Sequence, residues 1–184
     1  LGAATDTALR ILGLSGAREV TVTEEEVKAL ISEGTQAGVF VPQEKAMIEG
    51  VLRLADRSVR SIMTPRRDIA WLAVGDPPEE IAHGIRTNGH SRYPVCKGEL
   101  DGLVGVVHAR DLLEFALAGK PLDLEASATK PLLVHDGTPV LRLLDLIKET
   151  GQHLAVVVDE YGSVEGVATL TDILATVAGE MPEL

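Results

Sequence analysis

The residues best suited to chemistry stand where an apolar strand gives way to a helix, in the stretch GVATLTDIL. Thr169 and Asp172 lie three residues apart at the start of the predicted helix. The backbone N–H groups of a first helical turn are unpaired, and with the helix dipole they favour an anion such as phosphate. The threonine adds a hydroxyl donor, and the carboxylate offers two acceptor oxygens for the hydroxyls of a ribose. The stretch therefore predicts a nucleotide contact.

The same two residues also fit an ordinary helix start. A threonine at the N-cap and an acid in the first turn are common in helices that bind nothing. These nine residues alone leave both interpretations open.

The elements that position this stretch occur twice. A shift of 61 residues places Gly105 on Gly166 and Asp111 on Asp172, and it places Tyr93 on Leu154. Each copy predicts a β-α-β-β-α unit, with elements at 69–74, 78–88, 93–96, 103–108 and 110–118, and at 131–135, 138–149, 154–159, 164–169 and 171–178. A unit of about 50 residues buries too little surface to be stable alone. We therefore expect the two sheets to pack together around a pseudo-twofold axis, with a ligand cleft between them.

Short helices are predicted ahead of the two copies. Thr23 and Glu26 have the spacing of a capping box, and the helix that they start ends at Gly34. Pro42 opens a second helix. The apolar stretch from Leu9 to Leu14 is either the tail of a further helix or a frayed terminus. The predicted division is a helical lead at 1–60, a first repeat at 61–120 and a second repeat at 121–184.

Composition excludes several classes of function. The chain has 184 residues, 45% of them hydrophobic, and a net charge of −11, which opposes a broad basic surface for nucleic acid. A single cysteine, Cys96, indicates a reducing compartment. The sequence has no apolar run of about 18 residues, and its start lacks both an initiator methionine and a signal-peptide layout. We expect a piece of a longer protein.

Catalysis has little support in the sequence. The five histidines lack metal-ligand spacing, and no Ser/His/Asp or Cys/His set is evident. A Gly-x-x-x-x-Gly-Lys phosphate loop is missing as well. The sequence predicts a binding module and not an enzyme, with a hydrolase of the bound nucleotide as the weakest alternative.

The repeat and its closing motifs, GVVHARDLL and GVATLTDIL, resemble the cystathionine-β-synthase (CBS) domain pair. The segments SVRSIMTPRRDIAWL, SRYPV, VVVDEYGSVEGVATLTDIL and VAGEMPE, in this order, are similar to the cytosolic region of the CorC/HlyC (CorB/CNNM-like, hemolysin-related) membrane proteins. The resemblance runs from about Leu9 to Pro182. It implies an α/β (α+β) fold of two CBS repeats, and a regulatory module that binds ATP or AMP, with Mg²⁺ bridging the phosphates as one option.

The resemblance also implies further site residues. In the family a threonine of the MTP segment lines the nucleotide cleft, which selects Thr64. From their charge alone, Arg66, Arg67 and Arg92 are either phosphate ligands or solvated surface residues. His108 and Arg110 replace the two threonines in the first copy, and they are either weaker phosphate ligands or ordinary surface residues. The ring of Tyr93 either packs on adenine or is structural. The predicted nucleotide-binding residues are Thr64, Arg66, Ser91, Arg92, Tyr93, His108, Arg110, Asp111, Thr169, Thr171 and Asp172.

Partners follow from the same resemblance. In the family a membrane-embedded domain precedes this region and a small transporter-associated domain follows it. The parent protein is therefore expected at the cytoplasmic face of the cell (inner) membrane, as a magnesium/cobalt efflux or hemolysin-like protein, with this piece soluble. The apolar helix at 138–149 predicts a homodimer held through repeat helices, unless the rest of the chain covers it. The alternative function is a ligand-free scaffold for dimerisation and coupling.

Overall fold

The structure is a computed structural model that describes residues 22–119 and 122–178. The predicted stretch from Leu9 to Leu14 lies outside these residues. Within the described ranges the chain forms seven α-helices and seven strands. The helices are α1 Glu24–Gln36, α2 Pro42–Ala55, α3 Pro78–Asn88, α4 Ala109–Leu117, α5 Leu124–Ser127, α6 Val140–Thr150 and α7 Leu170–Ala178. The strands are β1 Thr64–Pro65, β2 Leu72–Ala73, β3 Arg92–Cys96, β4 Leu103–His108, β5 Leu132–His135, β6 Leu154–Val158 and β7 Val164–Thr169.

The chain divides into two compact units, with the boundary between Lys45 and Ala46. The first contains α1, whose predicted capping box is confirmed. Thr23 Oγ1 accepts a hydrogen bond from Glu26 N at 3.3 Å, and Glu26 Oε2 accepts one from Thr23 N at 3.0 Å. The helix continues past its predicted end at Gly34, because the left-handed residue that follows it is Gly38, with φ of 78°.

The second unit contains both copies of the predicted repeat. The first copy forms a sheet in the order β2-β3-β4, and the second copy belongs to a sheet in the order β1-β7-β6-β5. In each copy the first strand pairs in parallel with the second, and the second pairs antiparallel with the third. The β-α-β-β-α repeat is therefore confirmed. The connector between the copies contains the short helix α5, which the sequence did not predict.

The two copies are related by two different shifts. Arg92 of β3 lies opposite His108 of β4, and Leu154 of β6 lies opposite Thr169 of β7. The last strands keep the predicted shift of 61 residues, but the strands before them are related by 62. The turn DEYGS is one residue shorter than KGELDG, which accounts for the difference. The predicted equivalence of Tyr93 with Leu154 is therefore wrong by one residue.

Each sheet is completed by a short lead-in segment that precedes the other copy. Strand β1 comes before the first copy in sequence, but it pairs with β7 of the second copy, with Pro65 opposite Gly166. In the same way Thr129, which precedes the second copy, bridges Val106 of β4. This exchange joins the two copies through backbone hydrogen bonds as well as through side chains.

A glycine at the third position of β4 and of β7 makes this exchange possible. A Cβ on Gly105 would lie 2.5 Å from the carbonyl oxygen of Thr129, and one on Gly166 would lie 2.6 Å from that of Thr64. Both distances are well below carbon–oxygen contact, so a side chain at either position would displace the neighbouring backbone. The glycine that opens each closing motif therefore serves the packing of the lead-in segment.

Buried side chains form three clusters. Two of them each join one sheet to the helices that pack on it, and the third contains residues of both sheets, among them Cys96, Val106, Val156 and Val167. The predicted packing of one sheet against the other is confirmed by this third cluster. Burial raises the pKa of the Cys96 thiol to about 11, so the thiol is protonated at neutral pH and is a poor nucleophile.

The helix that predicted a dimer contact is largely covered within the chain. Helix α6 buries three of its six apolar side chains, and two more pack partly against the same cluster. Only Leu141 is exposed, at 43%. The larger exposed apolar side chains of the repeat helices are Leu113 and Leu117 on α4 and Leu174 on α7. None of the helices in the described ranges is both long and apolar enough to cross a membrane.

Helices α2 and α7 approach so closely that Gly50 has no room for a side chain. A Cβ there would overlap the Val177 carbonyl group, whereas one on Gly84 in α3 would meet only Leu72 Cδ2, at 3.8 Å. Alanine stabilises a helix interior over glycine by about 1 kcal/mol, and overpacking costs about 1–3 kcal/mol. We expect Gly84→Ala to raise the free energy of unfolding by about 1 kcal/mol and Gly50→Ala to lower it by up to about 2 kcal/mol in urea titrations. Equal changes in the two variants would contradict a close contact at Gly50.

Candidate functional site

A cleft of about 680 Å³ lies where the two copies meet, as the repeat predicted. Its walls are the lead-in segment from Thr64 to Ala70, residues 89–94 at the start of β3, the start of β6, and the junction of β7 with α7. The volume is in the range of small-molecule sites. Both copies and one lead-in segment are needed to form it.

Apolar and polar side chains line different parts of this cleft. The apolar lining includes Ile69, Ala70, Pro94, Leu154 and Val167, and the polar lining includes Ser91, Arg92, Thr169, Thr171 and Asp172. An apolar surface accommodates a planar ring, and the polar groups are of the types that bind hydroxyls and anions. The lining therefore has the mixed character that a nucleotide requires.

Thr169 and Asp172 form a reciprocal capping arrangement at the start of α7. Asp172 Oδ2 accepts hydrogen bonds from both Thr169 N and Thr169 Oγ1, each at 2.7 Å, and Asp172 N donates to Thr169 Oγ1 at 3.3 Å. The two side chains therefore cap the start of α7. The other carboxylate oxygen, Oδ1, accepts no hydrogen bond from any residue that the structure describes. That oxygen is available to a hydroxyl group in the cleft.

Arg92 brings a positive charge to the cleft. Arg92 is half-buried in the cleft wall, and within the described residues its guanidinium forms no ion pair and no side-chain hydrogen bond. The imidazoles of His90 and His153 line the same cleft. A guanidinium without a carboxylate partner favours an anionic ligand.

Thr64 contributes a free hydroxyl to the same site. Its side chain lines the cleft and makes no hydrogen bond with the described part of the chain. The corresponding residue of the other lead-in segment, Thr129, donates its hydroxyl proton to Val106 O at 2.9 Å. The Thr64 hydroxyl is therefore available to a ligand in the cleft, whereas the Thr129 hydroxyl is used within the fold.

Six of the predicted site residues line the cleft, namely Thr64, Ser91, Arg92, Thr169, Thr171 and Asp172. Tyr93 does not, because it lies in the central strand of its sheet and is fully buried. Its hydroxyl accepts a hydrogen bond from His90 N at 2.9 Å and donates to Ile85 O at 3.3 Å. Burial raises the pKa of this hydroxyl. Tyr93 lies in the core and supports His90, which lines the cleft. This agrees with the interpretation of Tyr93 as a structural residue.

The three predicted residues in the closing motif of the first copy also lie outside this cleft. His108 is the N-cap of α4, where its Nδ1 accepts a hydrogen bond from Arg110 N at 3.2 Å. Arg110 is exposed and ion-paired with Asp111 at 3.6 Å and Glu114 at 3.9 Å. Asp111 lines a separate depression on α4 and α5. The first copy therefore uses these side chains for its own helix and not for the cleft between the copies.

The guanidinium of Arg66 is paired with the carboxylate of Asp101. Its Nη1 and Nη2 donate to Asp101 Oδ1 and Oδ2 at 2.6 and 2.8 Å, and Nη1 also donates to Val164 O at 2.7 Å. The hydrogen bond from Arg66 lowers the pKa of Asp101. Because the folded-state pKa is depressed, the stabilisation from this pair is present at neutral pH and is lost as the pH falls through that pKa.

Several cleft residues were missed by the sequence analysis. His90 and Asp68 lie close in sequence to predicted residues, and His153 directly precedes β6. The repeat offered a signal for His153, since the corrected shift of 62 residues places it on Ser91. Within the described ranges, no group of three or more His, Cys, Asp or Glu residues could hold a metal ion.

Comparison with known proteins agrees with this architecture. The chain matches the CBS domain family over residues 59–118 and 123–179. A UPF0053 protein of Synechocystis sp. is 39% identical over 182 residues, which is 99% of this chain and 41% of that protein. The UPF0053 inner membrane protein YoaE of Escherichia coli is 34% identical over 177 residues, which is 96% of this chain and 34% of that protein. The chain spans less than half the length of these two curated relatives.

Solved structures give the same result. The CBS domain of a bacterial CNNM/CorC family Mg²⁺ transporter has a TM-score of 0.78 at 32% identity, with 88% of this chain and 99% of that chain covered. A CBS domain of that family in complex with ATP has a TM-score of 0.69 at 33% identity, with 76% and 100% covered. A CBS-domain pair with bound AMP from Klebsiella pneumoniae has a TM-score of 0.57 at 26% identity, with 66% and 98% covered. The chain belongs to the CBS domain family, and its two repeats form a CBS pair similar to those of CNNM/CorC proteins.

Proposed function

We propose that this CBS pair is a regulatory module that binds an adenine nucleotide, ATP or AMP, in the cleft between its repeats. The observation that carries the proposal is the meeting of three features in one cleft. They are an apolar wall, an Arg92 that forms no ion pair with the described residues, and an Asp172 Oδ1 that accepts no hydrogen bond from them. The similar CBS structures that contain ATP and AMP support the choice of nucleotide.

Each part of the nucleotide has a matching part of the cleft. The base is proposed to lie against the apolar lining near Ile69 and Val167. The ribose hydroxyls would donate to Asp172, and the phosphates would lie near Arg92 and the hydroxyl of Thr64. Mg²⁺ enters the proposal only as an ion carried by the phosphates, because the described residues offer no group of ligands for it.

Regulation would follow from where the ligand binds. The cleft is formed by both repeats, so a nucleotide contacts both and stabilises the arrangement in which they close on it. A ligand shifts such an equilibrium only by its difference in affinity for the two arrangements. The parent protein is proposed to lie at the cytoplasmic face of the inner membrane, where this module would act on a membrane domain with a role in magnesium or cobalt efflux.

Isothermal titration calorimetry with ATP, ADP, AMP and S-adenosylmethionine tests the proposal. We expect saturable binding of at least one phosphorylated adenosine compound, with weaker binding at high ionic strength because Arg92 contributes through its charge. An absence of heat and of thermal stabilisation with all four compounds would refute it.

A ligand-free scaffold is the second candidate, and one observation favours it. The Thr169 hydroxyl, which was predicted to donate to a phosphate, already donates to Asp172. A scaffold needs nothing more from this pair than a capped helix. It predicts an assembly whose melting temperature does not respond to nucleotide.

Homodimerisation is part of the proposal for either function. The exposed leucines of α4 and α7, together with Leu141 of α6, offer apolar surface on the repeat helices. We expect a dimer mass by light scattering at high micromolar concentration, and we expect Leu117→Glu, at a side chain that is 79% exposed, to shift the mass toward the monomer without unfolding the chain. A monomer mass for the unchanged protein, with and without nucleotide, would contradict this.

A further inference from the structure

Arg66, Asp101 and Val164 form a compact polar cluster, the Arg66 clamp. Besides the three bonds from the Arg66 guanidinium, Asp101 Oδ1 accepts a hydrogen bond from Val164 N at 2.9 Å. One carboxylate is thus bound by a guanidinium and by a backbone amide, and the same guanidinium reaches the carbonyl of that same residue. Four hydrogen bonds fix a single side-chain geometry.

The clamp joins three segments that are far apart in sequence. Arg66 lies in the 3-10 turn Arg66–Asp68 that follows β1, Asp101 lies in the turn between β3 and β4, and Val164 is the first residue of β7. The turn with Asp101 belongs to the first copy, and Val164 begins the strand of the second copy whose end carries Thr169. Arg66 follows β1, which pairs with that same strand. Both repeats are held by the clamp.

The lead-in segment at residues 64–69 needs such a support. Strand β1 has only two residues, and one of them is Pro65, which has no N–H to donate to β7. Few backbone hydrogen bonds therefore anchor the segment, yet it supplies Thr64, Asp68 and Ile69 to the cleft wall. Arg66 lies between these residues in sequence but does not line the cleft.

We propose that Arg66 and Asp101 are positioning residues for the cleft, which hold residues 64–69 in the arrangement that accepts the ligand, and that Arg66 does not contact the ligand. This inference rests on the proposed nucleotide-binding function. It assigns a role to Asp101, which no motif singled out, and it replaces the direct phosphate contact predicted for Arg66.

The two roles of Arg66 predict opposite effects for Asp101→Ala. If Arg66 bound phosphate directly, removal of Asp101 would release the guanidinium and tighten ATP binding. If the clamp positions the wall, the same change weakens binding, because the competent arrangement becomes less populated. A fall of that population to one tenth raises the apparent Kd about tenfold.

Arg66→Lys provides the matching change on the other side of the pair. It keeps the net charge but loses the planar fork that binds both carboxylate oxygens. We expect Arg66→Lys and Asp101→Ala each to raise the Kd for ATP about tenfold, by calorimetry at fixed ionic strength. Hydrogen exchange of the ligand-free protein should be faster at residues 64–69 in both variants.

Two control variants separate positioning from a general loss of stability. Lys97→Ala removes the ion pair of Lys97 with Glu125, at 2.7 Å, from the same β3–β4 turn. Ile147→Val weakens the core on α6, away from the cleft. Both are expected to leave the Kd and the exchange at residues 64–69 unchanged, even where the melting temperature falls.

Tighter binding in Asp101→Ala, or an unchanged Kd in both clamp variants, would overturn the inference. Failure of the proposed function would look different, because the unchanged protein would then bind no adenosine compound. In that case hydrogen exchange decides whether the Arg66 clamp fixes residues 64–69. Unchanged hydrogen exchange in both variants would then refute the positioning role of the clamp as well.

Discussion

Asp172→Ala is expected to weaken ATP binding by about 1.5–3 kcal/mol, which corresponds to a Kd increase of roughly 10- to 150-fold. The change removes the free Oδ1 that is proposed to accept the ribose hydroxyls. It also removes Oδ2, which holds Thr169 N and Thr169 Oγ1 at 2.7 Å and so fixes the first turn of α7 in the cleft wall. Calorimetry with ATP measures the loss.

Asp111→Ala is the matched control for this prediction. Asp111 occupies the same place in the first copy, the third residue of the helix that follows a strand, but it lies outside the cleft. Its replacement should change the Kd by less than about twofold, since an exposed charge away from the ligand contributes little. Equal losses in the two variants would contradict the assignment of the ligand to the cleft that Asp172 lines.

Gly166→Ala is expected to affect both stability and binding. The new Cβ would lie 2.6 Å from Thr64 O and from Met63 Sδ. Methionine can move aside, but the Thr64 carbonyl is backbone in the pairing of β1 with β7. We expect the free energy of unfolding to fall by about 1–3 kcal/mol in urea titrations. Displacement of Thr64 should also weaken ATP binding in calorimetry.

Gly137→Ala controls for the chemical change itself. Gly137 is exposed, and a Cβ there would meet no heavy atom within 4 Å. Alanine at this position should leave the Kd for ATP unchanged and should not reduce stability through overpacking. If Gly166→Ala behaved in the same way, the close approach of β1 to β7 would be refuted.

Much of the fold was predictable because each repeat is built from local patterns. The bounds of α3, β4 and β7 follow from sequence alone, since apolar periodicity and turn residues mark them. Strand β1 was not predicted, because two residues carry no periodic signal and their partner is a distant strand. The one-residue difference between the hairpin turns was also hidden, since the closing motifs fix only the last strand and helix of each copy.

The candidate site was predictable where its residues belong to a motif. Thr64, Thr169 and Asp172 were identified in this way and they line one cleft. Arg66 was placed in the site by its charge, because its carboxylate partner is 35 residues away and carries no signal in the sequence. Tyr93 shows the same difficulty, since only the pairing of the central strand reveals that its ring faces the core.

The exchange of lead-in segments sets an order of events during synthesis. Thr129 follows β4 by about twenty residues, so the sheet of the first copy can be completed while the chain is still growing. Strand β1 must wait for β7, which lies about a hundred residues later. At about 5–20 residues per second on the ribosome, that delay is roughly 5–20 s. The cleft wall that contains Thr64 is therefore among the first parts of this pair to be made and among the last to be folded.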